Sequence, residues 1–163
     1  MKVLFDENTG GRFVGIFREV ISLNKKESFE IAHTVEKFGR GAKDADWIPK
    51  LKGEDWVVIS DDRGRNSAAG DRLPQICESL GITLISVNST IFKHGGQAEK
   101  MRGLNSVWPE IVETVAKKPG SRWLLKYAGS SKSTFKLECK FDPGAAQAVA
   151  PVIPVPLLRI EPF

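Results

Sequence analysis

Three short apolar runs constrain the fold of this chain more than any other feature of its sequence. They are Val3–Phe5, Trp56–Ser60 and Ile82–Val87, and they are rich in residues that favour β-strands. Such unbroken runs are typical of strands that are covered on both faces of a sheet. Segments with helical spacing, Phe13–Val20 and Leu73–Leu80, lie between them. This alternation predicts an α/β fold, with a small, mostly parallel sheet flanked by helices.

The remaining segments predict further elements around this sheet. Phe29–Val35 alternates as a second strand would, and an amphipathic helix is expected to open at Asn105 or Ser106, with Pro109 in its first turn. Arg122–Phe141 has the pattern of a β-hairpin. The predicted organisation is an α/β domain over residues 1–118, a hairpin extension over 119–141, and an extended, Pro-rich tail over 142–163.

Composition narrows the class of protein. The chain of 163 residues is long enough for one domain with its own core, and none of its apolar runs approaches the ~20 residues of a membrane span. It begins directly with a strand, where a secretory signal would place a charged and then an apolar region. Its two cysteines, Cys77 and Cys139, form no CxxC pair. We therefore expect a cytoplasmic protein with free thiols and no membrane association.

Positive charge is concentrated in one part of the chain. Residues 93–140 contain ten lysines and arginines against four glutamates, whereas the preceding part is close to neutral. Such asymmetry indicates a polyanionic partner. A solvated basic surface is the alternative that charge alone leaves open.

Aspartates occur where the apolar runs end. Asp6 follows the first run and Asp62 follows the second, while the helix predicted between them begins near Asp44 and Asp46. Because parallel strands end at one edge of a sheet and a right-handed crossover returns the helix there, three or four carboxylates are expected to converge. Neighbouring carboxylates need either a proton or a cation, and an all-oxygen site suits Mg²⁺ or Mn²⁺.

Each of these aspartates also has a structural alternative. An aspartate ahead of an apolar stripe is a good helix N-cap. Pro49 is tolerated only in a first helical turn, so Asp46 is the favoured cap of its helix. Asp61 and Asp62 can equally belong to a turn. The metal-site hypothesis depends on the combination of acids at the strand ends.

The stretches KVLFDEN, DADWI and VVISDD resemble the PIN-like nucleases, and specifically the compact subgroup beginning "DEN" that accompanies VapC-type toxin–antitoxin systems. In that pattern one aspartate ends the first strand, a second opens a helix, and a third follows about eighteen residues later. Asp6, Asp44 and Asp62 match these positions, with Ser60 in place of the usual threonine. Asp46, Asp61 or Asp71 would complete the set.

This resemblance implies a PIN-like fold and cleavage of single-stranded RNA. Asp6, Asp44 and Asp62 would hold one or two Mg²⁺ or Mn²⁺ ions. Glu7 and Asp46 would orient these ligands or add to them. Arg63 and Arg65 would contact RNA phosphates, although ordinary surface charge explains them equally well. The implied partners are RNA and an antitoxin protein. The resemblance does not decide whether the protein also forms a homodimer.

Two other functions compete with a toxin ribonuclease. One is a non-catalytic PIN-like module that binds RNA or protein through the basic hairpin. The other is a receiver-type phosphotransfer protein, which needs a lysine at the end of a later strand. Val87–Thr90 offers no such lysine, and this alternative is the least favoured.

Overall fold

The three apolar runs form buried, neighbouring strands at the centre of a six-stranded sheet. The computed structural model describes residues 1–23, 28–61 and 72–144. Its strands are β1 (Lys2–Phe5), β2 (Glu30–His33), β3 (Trp56–Ser60), β4 (Thr83–Val87), β5 (Arg122–Tyr127) and β6 (Phe135–Phe141). They lie in the order β2-β1-β3-β4-β5-β6. All neighbours are parallel except β5 and β6, which form the predicted hairpin.

Helices cover both faces of the sheet. They are α1 (Gly11–Ser22), α2 (Thr34–Phe38), α3 (Asp44–Trp47), α4 (Leu73–Leu80) and α5 (Ser89–Glu113), with short 3₁₀ turns at Glu7–Thr9, Ile48–Leu51 and Val115–Lys117. On one face, residues such as Phe5 pack with Phe17 of α1 and Trp108 of α5. On the other face, Leu4 packs with residues of α3 and α4. The predicted α/β class and mostly parallel sheet are therefore confirmed.

The long helix α5 differs from its prediction. It begins at Ser89 and not at Asn105, because the side chain of Asn88 accepts a hydrogen bond from the Thr90 amide and caps the helix there. Gly95 and Gly96 have non-helical angles and kink the helix. Pro109 consequently lies inside the helix and not in its first turn.

Two smaller predictions also need correction. The second strand ends at His33, and the chain turns into α2 at Thr34, so only part of Phe29–Val35 is extended. Asp46 is not the cap of α3: the N-cap position is held by Lys43, and no side chain caps the helix. The helix begins earlier than Pro49 suggested, because Pro49 lies in the first turn of the separate 3₁₀ turn Ile48–Leu51, and Asp46 is exposed.

The hairpin continues the main sheet, since β5 pairs with β4 in parallel register. The domain boundaries at residues 118 and 141 stay a prediction, and most of the Pro-rich tail lies outside the described residues. Within those residues, no helix combines the length and apolar character of a membrane span. The strand order places a topological switch point between β1 and β3, where open α/β sheets bind their ligands.

Candidate functional site

Asp6 lies at the switch point, at the end of β1 and beside the end of β3. Its amide donates to the carbonyl of Ile59 at 3.2 Å, and its side chain is only 4% exposed. Thr9 Oγ1 donates to Asp6 Oδ1 at 3.1 Å, and the hydroxyl of Ser60 donates to Oδ2. The two hydroxyls therefore hold the buried carboxylate in one orientation.

A tight turn brings Thr9 to this carboxylate. The chain leaves β1 through the 3₁₀ turn Glu7–Thr9, in which the Thr9 amide donates to the carbonyl of Asp6 at 3.1 Å. Gly10 ends the turn with φ of 74°, a left-handed conformation that favours glycine. The glycines after the acidic motif thus position Thr9 as well as starting α1.

Lys100 completes the site from the kinked helix α5. Its side chain is fully buried, and its Nζ donates to Thr9 Oγ1 at 3.0 Å and lies 2.8 Å from the Asp61 carboxylate. The ammonium also lies 4.9 Å from the centre of the Phe13 ring. Because Thr9 accepts from Lys100 and donates to Asp6, one hydroxyl links the cation to the buried acid.

Burial controls the electrostatics of the site. It is the main reason that the pKa of Asp6 rises from 3.8 to about 6, and the hydrogen bond from Ser60 opposes this rise. The charge of Asp61 raises the pKa of Asp6 further, whereas Lys100 lowers it. Burial lowers the pKa of Lys100 itself, and the charge of Asp61 opposes that change. Burial therefore disfavours the charged forms of both Asp6 and Lys100, and contacts with neighbouring side chains oppose it only in part.

The sequence interpretation assigned Lys100 only to a basic segment and missed its position in the site. The sequence does contain a pattern that indicates burial of Lys100. It lies four residues before Leu104 and eight before Trp108, on the apolar face of the helix. If the helix began only at Asn105, Lys100 would lie outside it and this spacing would have no meaning.

The other predicted site residues have different surroundings. Asp44 is half-buried, and its Oδ1 accepts a hydrogen bond from Trp47 Nε1 at 3.1 Å. Glu7 is exposed, and its Oε2 accepts a hydrogen bond from the Gly41 amide at 2.9 Å. Glu7 thus ties the loop before α3 to the end of β1. Asp46 is exposed.

The structure brings together Asp6, Thr9, Ser60, Asp61 and Lys100 through the contacts above. Asp62, Arg63, Arg65 and Asp71 lie outside the described residues. Within the described ranges, no group of three acidic, histidine or cysteine side chains is arranged to hold a metal ion.

The donor chemistry at Asp6 nevertheless suits a hard cation. A carboxylate has about four acceptor positions, and the Thr9 and Ser60 hydroxyls supply the two hydrogen bonds described above. Positions remain for an ion to bind, and its charge would offset the burial that raises the pKa of Asp6.

A family model described as "PIN like domain" matches residues 1–69 of this chain. The matched region runs from β1 past β3 and contains Asp6, Asp44 and Asp62. Comparison with curated proteins and with solved structures gives no match. The match supports a PIN-like domain, a class whose members are generally nucleases, and the α/β architecture is consistent with it. The compact toxin–antitoxin subgroup remains a prediction.

Proposed function

We propose that this protein is a metal-dependent ribonuclease that cleaves phosphodiester bonds of single-stranded RNA. The observation that carries the proposal is the buried Asp6 carboxylate. It lies at the switch point of the sheet, beside Asp61, inside the region that matches a PIN-like domain. A strongly perturbed acid at such a position is typical of a functional site.

Asp6, Asp44 and Asp62 would hold the Mg²⁺ or Mn²⁺ ion. Bound there, the ion would activate water and offset negative charge on the phosphate. Asp61 is the nearest candidate for a fourth acid, because it lies next to Asp62 in the chain and close to Asp6 through Lys100. The proposal requires Asp62, since the described residues do not provide three ligands by themselves.

The residues around Asp6 prepare it for this role. Ser60 and Thr9 fix its orientation. Lys100 lowers the pKa of Asp6 and thereby favours the carboxylate form that binds a cation. Glu7 holds the loop that leads to Asp44 through its bond to Gly41.

The expected partners follow from the same proposal. Arg63, Arg65 and the exposed lysines and arginines of the basic segment 93–140 would bind RNA phosphates. A bacterial ribonuclease of this kind would act as the toxin of a pair, with an antitoxin protein as its inhibitor. A cytoplasmic location and a homodimer remain part of this proposal.

The direct test is cleavage of a labelled single-stranded RNA in Mg²⁺ or Mn²⁺ and, separately, in EDTA. We expect Asp6→Asn to lose activity on the order of 100-fold or more, because even outer-shell partners of metal ligands cost 10–100-fold. Asp55→Asn is the matched control, since Asp55 is exposed in the turn before β3, at the opposite end of that strand. Cleavage by Asp6→Asn at the wild-type rate would refute the proposal.

A non-catalytic PIN-like module is the second candidate. It is favoured by Lys100, whose ammonium pairs with Asp61 and lowers the pKa of Asp6, so that the chain itself supplies a cation to this cluster. RNA binding by the wild-type protein without metal-dependent cleavage would select this function over the first.

A further inference from the structure

We propose that a cavity beside Thr9 binds a purine base of the RNA strand, next to the phosphate that Asp6 would serve. The cavity lies between α1 and the part of α5 that follows the kink, and its volume is about 520 Å³. The inference rests on the proposed function, because the nearby acid site identifies the ligand as a nucleotide strand.

The walls of the cavity suit a flat, apolar ring. They include Phe13, Ile16 and Met101, and Ile16 is 49% exposed although it is a large apolar residue. Small-molecule sites typically measure roughly 300–1,000 Å³ and combine mostly apolar walls with a few polar groups. Aromatic side chains and methionine sulfur pack well against a base.

Two polar side chains at the cavity favour a purine. Gln97 Nε2 donates to the carbonyl of Thr9 at 3.3 Å, which fixes the amide beside the cavity. Arg12 also lines the cavity, is exposed, and has no ion pair within the described ranges. Arginine pairs with O6 and N7 of guanine, and glutamine pairs with N6 and N7 of adenine. Pyrimidines do not have this edge.

Thr9 connects the cavity to the acid site. It lines the cavity, and its hydroxyl donates to Asp6 at 3.1 Å. A base in the cavity would therefore belong to a nucleotide whose phosphate reaches the end of β1. This proximity favours a nucleic acid strand over an apolar peptide, which would leave Arg12 and Gln97 without a role.

The test measures binding of hexaadenylate, hexauridylate and adenosine monophosphate in EDTA, where metal-dependent cleavage cannot occur. Ala98→Trp fills the cavity from an exposed position on α5. We expect it to weaken hexaadenylate binding roughly tenfold, the effect typical of losing one stacked base. Hexauridylate binding, which depends on phosphate charge, should change by less than about twofold.

Two further variants keep the test decisive. Val20→Trp adds the same ring at an exposed site of α1 outside the cavity and should leave binding unchanged. Gln97→Ala removes only a polar group and should abolish the preference for the purine strand, even if Ala98→Trp fails to fold.

Three results would overturn the inference. They are unchanged hexaadenylate binding in both cavity variants, equal wild-type affinity for the two strands, and monophosphate binding as tight as strand binding, which would indicate a free-nucleotide site. None of them depends on cleavage. If the wild-type protein shows no metal-dependent cleavage while the purine preference holds, the ribonuclease assignment fails and the base site stands.

Discussion

Replacing Lys100 with methionine tests whether the buried cation holds the site together. Methionine keeps most of the side-chain volume and removes the ammonium that contacts Thr9 and Asp61. The Asp61 carboxylate would then lose its cation, and the Thr9 hydroxyl would lose a donor. The Asp61 contact ties α5 to the end of β3, and the Thr9 contact ties it to the turn after β1, so we expect the whole fold to be destabilised.

The structure limits the size of this effect. Breaking a buried ion pair from one side costs roughly 3–5 kcal/mol, because the remaining charge is left without compensation. The Lys100 side chain is 0% exposed, but that of Asp61 is 24% exposed, so water can partly solvate the remaining carboxylate. We therefore expect the lower end of that range, about 3 kcal/mol. For a domain of this size the melting temperature would fall by roughly 6–12 °C.

Urea unfolding is the appropriate assay, with the midpoint shifting at an unchanged slope. Lys93→Met, at an exposed position of the same helix, is the matched control and should change the free energy of unfolding by less than about 0.5 kcal/mol. Adding Asp61→Asn to Lys100→Met should recover much of the loss, because the uncompensated charge is then gone. The double-mutant cycle isolates the energy of the pair.

A free energy of unfolding for Lys100→Met within about 0.5 kcal/mol of the wild-type value, the usual range for a surface substitution, would contradict this role of Lys100. That role is also refuted if Asp61→Asn makes Lys100→Met less stable still. In either case the ion pair would not hold α5 against the end of β3.

The remaining predictions concern Asp6 and two helical glycines. In EDTA near neutral pH, Asp6→Asn should stabilise the fold by up to about 3 kcal/mol, because the pKa of Asp6 rises from 3.8 to about 6 on burial. This gain in stability should disappear as the pH falls from about 6 to 3.8, because the folded wild-type protein then takes up a proton at Asp6. Urea unfolding at a series of pH values measures the change. Gly103→Ala should destabilise by roughly 1 kcal/mol, since its Cβ would lie 3.0 Å from the Phe135 ring. Gly15→Ala, with open space around it, should stabilise by about 0.5–1 kcal/mol in the same assay. A pH-independent effect at Asp6, or equal effects at the two glycines, would contradict these expectations.

The sequence predicts the centre of the fold well because burial on both faces demands unbroken apolar strands. The runs Val3–Phe5, Trp56–Ser60 and Ile82–Val87 lie in or overlap β1, β3 and β4, and Asp6 follows β1 as expected. The start of α5 is harder to predict, since Gly95 and Gly96 resemble a helix end but produce only a kink. Whether a helix breaks or bends there depends on packing on both sides of the glycines.

The contacts of the site are less predictable than its strands. Lys100 is 91 residues from Thr9 in the chain, and its charge suggests an exposed position. Only the four-residue spacing between Lys100 and Leu104, which puts both on one face of the helix, indicates that Lys100 is buried. The hydrogen bond from Gly41 to Glu7 depends on the loop between α2 and α3, whose course no periodic pattern specifies.

Lys100 also bears on the receiver-type alternative, which was disfavoured because no lysine follows a later strand. In the structure, helix α5 places a lysine beside Asp6. The lack of a lysine after a later strand therefore does not by itself exclude a receiver-type protein. A phosphoacceptor aspartate, however, needs a carboxylate oxygen that is free to attack an incoming phosphoryl group. Asp6 is 4% exposed, and both of its oxygens accept hydrogen bonds from hydroxyls. Phosphorylation would turn one of these oxygens into a bridging oxygen and weaken the hydrogen bond that it accepts, whereas a metal ion would use an acceptor position that the hydroxyls leave open. The contacts therefore favour a role in holding a cation over a role as a phosphate carrier.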